Sequence, residues 1–187
     1  MNLPNYITLL RIILIPFFIT FMIYGYYASA LLVFVVACIT DALDGLIARL
    51  TNTKTELGAF FDPIADKLLI ISAFITLVVF RMLPVWLVII VVSRDAILVL
   101  GSIALYFLGH QFTARPSIIG KLTTVFQLSA VILPLLARNY KIASGMLTAL
   151  FISTAAFTLA SGSQYVIRGI KIVGKNPDHS SSGGTIE

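Results

Sequence analysis

Four aspartates dominate the polar chemistry of this sequence, and they form two pairs, Asp41 with Asp44 and Asp62 with Asp66. The chain has eight acidic residues, so these four aspartates are half of them. Carboxylates gathered in or near hydrocarbon are costly unless positive charge compensates them, and divalent cations supply such charge. No histidine or cysteine lies between the four aspartates, so oxygen ligands favour Mg²⁺ or Mn²⁺ over zinc. Four carboxylates with two such ions are suited to phosphoryl transfer.

The spacing of the aspartates predicts that each pair shares one face of a helix. Asp41 and Asp44 are three residues apart, and Asp62 and Asp66 are four residues apart. Both separations bring side chains together on a helical surface. If the two helices pack antiparallel, the four carboxylates can converge, so the predicted chemistry depends on two consecutive helices meeting at one site.

The composition indicates a polytopic membrane protein of the all-α class. Of the 187 residues, 59% are hydrophobic and 11% are charged, whereas soluble domains have roughly 25% charged residues. We expect a single membrane domain over residues 1–175 and a disordered Ser/Gly-rich tail over 176–187. The net charge of +5 suits contact with anionic membrane lipids. The absence of a basic run argues against nucleic acid as a partner.

Apolar segments predict six transmembrane helices, each near the roughly 20 residues needed to cross a bilayer. Their predicted extents are 7–24, 29–50, 58–80, 85–108, 117–136 and 146–167. A short interfacial helical segment is expected at the N terminus. The first aspartate pair lies near the end of the second helix and the second pair near the start of the third. Both pairs are therefore expected at the same membrane surface.

The distribution of basic residues predicts the orientation of these helices. The membrane surface at which the aspartate pairs are predicted is called the motif side. On the motif side lie Arg49, Lys54, Arg115, Lys121, Arg168, Lys171 and Lys175, and on the opposite side lie Arg81, Arg138 and Lys141. Connections rich in Lys and Arg remain in the cytoplasm. The motif side and both termini are therefore predicted to face the cytoplasm.

The stretch 41–66 reads D-x2-D-G-x2-A-R-x8-G-x3-D-x3-D. This pattern resembles, without a gap or a mismatch, the signature of the CDP-alcohol phosphatidyltransferases. The resemblance implies transfer of a phosphatidyl group from CDP-diacylglycerol to an alcohol, with release of CMP. It implies that Asp41, Asp44, Asp62 and Asp66 hold two divalent ions, Mg²⁺ or Mn²⁺, and that Asp66 is also the general base. It further implies a homodimer in a bacterial inner membrane.

The motif predicts binding residues for CDP-diacylglycerol besides the aspartates. These are Gly45, Ala48, Arg49 and Gly58, with Asn5 and Thr8 added from the N terminus. Small residues at 45 and 48 would let a nucleotide lie against the helix, although close helix packing is an alternative. Arg49 resembles a phosphate-binding arginine that could grip the pyrophosphate with two hydrogen bonds. Its alternative role is that of an anchor at the membrane surface.

The N-terminal prediction rests on the opening run Leu-Pro-Asn-x-x-Thr-x-x-Arg. This run is similar to the start of bacterial members of the family, which implies a place near the nucleotide for Asn5 and Thr8. A stripe of side chains that faces lipid headgroups is an equally good interpretation.

Three basic residues, Arg94, Arg115 and Lys121, are predicted to bind an anionic acceptor. Arg94 lies within an apolar helix, where either a substrate phosphate or the neighbouring Asp95 could neutralise it; we favour the phosphate. Lys121 could equally be a cytoplasmic anchor. Serine and inositol suit such a cationic pocket less well than a phosphorylated alcohol does.

Two acceptors are therefore considered. The length and opening of the chain look like those of bacterial phosphatidylglycerophosphate synthases, which implies glycerol 3-phosphate as the acceptor. The segments 93–95 and 114–127 instead resemble CMP-forming cardiolipin synthases, which implies phosphatidylglycerol. Asp95 stands where a glutamate is expected in the first group. Glycerol 3-phosphate is the leading expectation.

A divalent-cation carrier is the alternative from a different functional class. A carrier would be expected to space acidic residues through the depth of the bilayer as a path. Here the aspartates are gathered at one level beside Arg49, whose charge would repel cations. The sequence therefore favours an enzyme.

Overall fold

The computed structural model describes the backbone of residues 3–51, 56–107, 118–140 and 142–173, and the side chains of residues 10–41, 67–101, 118–140 and 142–170. In chain order the helices are α1 Leu3–Ile23, α2 Tyr27–Thr51, α3 Glu56–Val79, α4 Val85–Phe107, α5 Ile118–Ala137 and α6 Ser144–Val173. These ranges contain no strand, so the predicted all-α class is confirmed. The tail predicted to be disordered lies outside the described residues.

Two of the turns between helices depend on a residue with left-handed backbone geometry. Gly25 has a φ of 76° and Arg81 a φ of 55°. After Gly25, the Tyr26 N–H donates to the Phe21 carbonyl at 2.9 Å, which satisfies one of the terminal carbonyls of α1. The turn at Arg81 closes α3 with an equivalent bond. Glycine adopts this geometry without steric cost, whereas an arginine pays roughly 1–2 kcal/mol for it.

The short helical segment predicted at the N terminus is part of α1, which is one continuous helix of 21 residues, and its interfacial place stays a prediction. Pro4 falls in the first turn, where its missing N–H would have no helical partner in any case. The sixth helix is also longer than predicted, at 30 residues. Hydropathy reports where the hydrocarbon ends, whereas a helix can continue beyond that point through its own backbone hydrogen bonds.

The helices form two groups that share one apolar core. The first helix packs against both α2 and α3, and α6 packs against both α4 and α5. Contacts of α3 with α4 and α5, and of α2 with α5, join the groups. In the first group the rings of Phe18 and Phe34 lie 5.9 Å apart, and both are fully buried together with Phe74. This packing sets the rotation of α2 and α3, which contain the aspartate motif.

The outer surface of the helices is rich in exposed apolar side chains, such as Leu32, Ile75 and Leu100, which suits contact with lipid. Two helices of the described chain, Ile118–Ala137 and the segment Ser144–Ile170, are long and apolar enough to cross a membrane. The described parts of α1, α2 and α3 are shorter apolar helices. An apolar, membrane-type helical fold is therefore supported, and the full count of six spans stays a prediction.

Candidate active site

The two aspartate pairs lie at matching depths in two consecutive helices. Asp41 lies ten residues before the end of α2 at Thr51, and Asp66 lies ten residues after the start of α3 at Glu56. With a rise of 1.5 Å per residue, both are about 15 Å from those helix ends. Each pair belongs to one uninterrupted helix, so the predicted sharing of a helix face agrees with the backbone.

Asp41 is the motif aspartate whose side chain the structure describes. Its Oδ1 atom lies 2.7 Å from Nη2 of Arg11 on α1. The Arg11 side chain is 1% exposed and that of Asp41 is 42% exposed. The arginine is thus buried between helices and reaches a carboxylate that opens towards solvent. This ion pair ties α1 to the first half of the motif.

The other motif side chains lie outside the described residues: these are Asp44, Gly45, Ala48, Arg49, Gly58, Asp62 and Asp66, and the same holds for Asn5 and Thr8. No cluster of three or more Asp, Glu, His or Cys side chains that could hold a metal occurs among the described ones. The convergence of the four carboxylates therefore stays a prediction.

A second polar cluster lies where α3, α4 and α6 meet. The Asp95 carboxylate on α4 is bracketed by two cations, with Oδ2 at 2.7 Å from Lys67 Nζ and Oδ1 at 2.7 Å from Arg94 Nη1. Arg94 also donates from Nη2 to the Ser161 hydroxyl on α6 at 2.8 Å. We call these four residues the Asp95 cluster. Asp95, one of the two neutralising groups predicted for Arg94, contacts it, and binding of a substrate phosphate stays a prediction.

Close approach of α6 to α4 makes this cluster possible. A Cβ atom on Gly162 would lie 3.3 Å from Cγ of Arg94, so the glycine leaves room for the arginine stem. One turn further along, Tyr165 packs against Gly101 and donates its hydroxyl to the Leu98 carbonyl at 3.2 Å. Small residues at such crossings let helix backbones approach closely.

Lys121, the next predicted acceptor residue, is not part of this cluster. Lys121 lies in the first turn of α5 and is exposed. Arg115 lies outside the described residues.

Comparison with known proteins identifies the family. The model of the family described as CDP-alcohol phosphatidyltransferase matches residues 1–160. The chain belongs to the CDP-alcohol phosphatidyltransferase family. The class of enzyme predicted from the motif, a phosphatidyltransferase, is thereby confirmed.

Named relatives of this phosphatidyltransferase include two kinds of protein. A probable phosphatidylglycerophosphate synthase of Mycobacterium tuberculosis H37Rv is 36% identical over 92% of this chain and 84% of its own length. A CDP-diacylglycerol–glycerol-3-phosphate 3-phosphatidyltransferase of Aquifex aeolicus is 32% identical over 94% of this chain and 99% of its own length. A human cardiolipin synthase (CMP-forming) is 35% identical over 92% of this chain and 63% of its own. Both predicted acceptor classes are thus represented among the relatives.

Three features of the site in this phosphatidyltransferase were not predicted from the sequence. Arg11 was placed on a stripe with no assigned partner, Lys67 was interpreted only as balancing local charge, and Ser161 was not singled out. A signal existed for Lys67, because a lysine next to a motif aspartate in an apolar helix needs a counter-charge. No local pattern could have paired Arg94 with Ser161, since 67 positions separate them.

Proposed function

We propose that the protein transfers the phosphatidyl group of CDP-diacylglycerol to glycerol 3-phosphate, forming phosphatidylglycerophosphate and releasing CMP. The observation that carries the proposal is the complete motif, with its aspartate pairs on α2 and α3 at matching depths. Two relatives support this acceptor: the Mycobacterium protein is named a probable phosphatidylglycerophosphate synthase, and the Aquifex protein is named a glycerol-3-phosphate 3-phosphatidyltransferase.

The donor atoms of the motif fit two divalent cations. Asp41 presents a carboxylate that is 42% exposed, and Asp44, Asp62 and Asp66 add three more carboxylates within the same helices. Such oxygen ligands suit Mg²⁺ or Mn²⁺. Bound there, the ions would polarise the phosphates and make the acceptor hydroxyl easier to deprotonate.

The chain's own residues then have distinct tasks. Arg49 holds the pyrophosphate of the donor, with Gly45, Ala48 and Gly58 leaving room for the nucleotide and Asn5 and Thr8 at its edge. Asp66 takes the proton of the acceptor hydroxyl. The oxygen of that hydroxyl attacks the phosphorus atom that bears the diacylglycerol. The bond from that phosphorus to the CMP oxygen breaks, and CMP leaves with the electron pair.

Basic residues on α4 and α5 would hold the acceptor. Arg94, Arg115 and Lys121 match the charge of a phosphorylated alcohol, and Arg94 already has its guanidinium oriented by Asp95 and Ser161. An oriented guanidinium loses less side-chain freedom when it binds a phosphate.

We also propose that six helices cross the membrane, with the motif and both termini on the cytoplasmic side of a bacterial inner membrane. The excess of Lys and Arg on the motif side supports this orientation. Two copies of the chain are proposed to associate as a homodimer, as the family resemblance implies.

Cardiolipin synthesis, with phosphatidylglycerol as acceptor, is the second candidate. The human relative named cardiolipin synthase and the segments 93–95 and 114–127 favour it.

Release of CMP by purified protein with CDP-diacylglycerol and Mg²⁺ separates the candidates. Glycerol 3-phosphate and phosphatidylglycerol are supplied in separate reactions. Release with glycerol 3-phosphate alone supports the first proposal, and release with phosphatidylglycerol alone replaces it with the second. Release with neither acceptor refutes both assignments.

A further inference from the structure

Arg11 is a buried arginine to which the proposed transfer gives no task. Its side chain is 1% exposed, although a guanidinium is costly to bury without a counter-charge. The guanidinium lies 2.7 Å from Oδ1 of Asp41, and α1 packs against both helices that contain the aspartate motif. Arg11 therefore brings a fixed positive charge from a third helix to the first carboxylate of the motif.

The Asp41 carboxylate has room for a second partner besides Arg11. The ion pair uses Oδ1, and 42% of the Asp41 side chain is exposed. An ionised carboxylate has two oxygens with about four lone-pair positions, so it can contact an arginine on one side and a metal ion on the other. Carboxylates that bind metal ions are commonly held by a further polar group in this way.

The ion pair is expected to persist when the carboxylate binds a metal ion. Withdrawal of Asp41 from Arg11 would deprive the buried guanidinium of this counter-charge, which is strongly unfavourable. The rotation of the Asp41 side chain is then restricted before an ion arrives. A ligand that is already oriented loses less conformational freedom on binding.

Arg11 has two opposing effects on metal binding at Asp41. Its charge repels a cation that binds the same carboxylate, whereas the ion pair holds that carboxylate in one orientation. The repulsion is weakened because the Asp41 side chain borders solvent, which screens charges. The orienting effect is not screened, and outer partners of metal ligands typically change metal affinity by about 10- to 100-fold. Orientation is therefore expected to outweigh repulsion.

We propose that Arg11 is a positioning residue of the metal centre, which holds Asp41 in the orientation that binds a divalent ion. The proposal rests on the proposed phosphatidyl transfer, in which Asp41 is a metal ligand. The helix α1 then contributes to the affinity of the metal centre through Arg11, without a ligand from this residue.

Binding of Mn²⁺ to the metal-free purified protein in detergent tests this role without turnover. Electron paramagnetic resonance measures the free Mn²⁺ during a titration. We expect Arg11→Met to raise the half-saturating Mn²⁺ concentration by roughly 10- to 100-fold, and the value for Arg11→Lys to lie between those of Arg11→Met and wild type. A lower half-saturating concentration in Arg11→Met than in wild type would show that repulsion dominates, and would overturn the positioning role.

The matched control is Arg81→Met, which removes an exposed arginine in the turn after α3. Arg81 follows Asp66 by 15 residues, and the helical rise separates this turn from the motif by about 20 Å. The control should bind Mn²⁺ like wild type. An equal loss of Mn²⁺ affinity in Arg81→Met and Arg11→Met would overturn the positioning role, because the loss would then come from net charge alone.

A double-substitution cycle separates positioning from damage to the fold. If Arg11 acts through Asp41, adding Arg11→Met to Asp41→Asn should change the half-saturating Mn²⁺ concentration by less than about threefold. The full loss of affinity in the Asp41→Asn background would show that Arg11 does not act through Asp41, and would overturn the proposal. If Arg11→Met does not fold, the same cycle is measured with Arg11→Lys.

Wild type distinguishes failure of this role from failure of the proposed metal centre. Wild type that binds no Mn²⁺ would overturn the metal centre and the positioning role with it. Wild type that binds Mn²⁺ with the same half-saturating concentration as folded Arg11→Met would overturn the positioning role alone.

Discussion

Arg11 on α1 forms a 2.7 Å ion pair with Asp41 on α2, so the first helix is attached to the first carboxylate of the motif. We expect Arg11→Met to lower the free energy of unfolding by about 1–3 kcal/mol. This expected loss is smaller than the loss for a fully buried ion pair, because the Asp41 side chain is 42% exposed and solvent still stabilises its charge. Denaturation in detergent measures the change. Arg11→Lys keeps the charge and should recover part of the lost free energy of unfolding. Equal stability of wild type and Arg11→Met would show that the ion pair is not stabilising.

Asp66→Asn should lower kcat by at least about 100-fold, because a positioned general base contributes roughly 10²–10⁴ in rate. Binding of CDP-diacylglycerol should stay measurable, since the other three motif carboxylates are intact. Turnover and ligand binding are measured on the same preparation. A variant with the wild-type rate would remove Asp66 from the chemistry.

Removal of divalent ions with EDTA should abolish CMP release, and excess Mg²⁺ should restore it. Asp44→Asn should raise the Mg²⁺ concentration for half-maximal rate, because one carboxylate ligand is replaced by a neutral amide. Asp178→Asn changes an aspartate outside the motif and serves as the control. An unaltered Mg²⁺ dependence in Asp44→Asn would argue against this residue as a ligand.

Gly162→Ala should weaken the junction of α4 and α6. The added Cβ would lie 3.3 Å from Cγ of Arg94, and overpacking of this kind costs roughly 1–3 kcal/mol, partly offset by the better helix propensity of alanine. Gly169→Ala is the matched control on the same helix, because its Cβ would meet no atom within 4 Å. We expect a lower Tm and a higher acceptor KM in the first variant only. A lower Tm in Gly169→Ala than in Gly162→Ala would contradict the close packing of α6 against α4 at Gly162.

Labelling of single cysteines tests the proposed orientation. In a Cys38→Ala background, a cysteine in place of Asn139 should react with a membrane-impermeant maleimide in intact cells. A cysteine in place of Ser181 should react only after permeabilisation. Reaction at both positions in intact cells would be incompatible with a cytoplasmic C terminus.

The helices and the motif could be predicted from sequence because they depend on local interactions. The ends of α1 and α3 follow from Gly25 and from the turn before Pro84, and predicted helix boundaries otherwise differ from the structure by a few residues, except at the end of α6. The pairing of Asp41 with Asp44 on one face depends only on the geometry of a single helix. Neither feature requires knowledge of which helices are neighbours.

Only the tertiary structure decided which charges meet. Lys67, Asp95 and Ser161 belong to three different helices, and they meet because α3 and α6 both pack against α4. The rotation of each helix about its axis, and the absence of a side chain at Gly162, determine whether Arg94 can reach Ser161. These are properties of packing between distant segments, so the sequence alone specified the motif and its family, while the fold specified the partners of its charged residues.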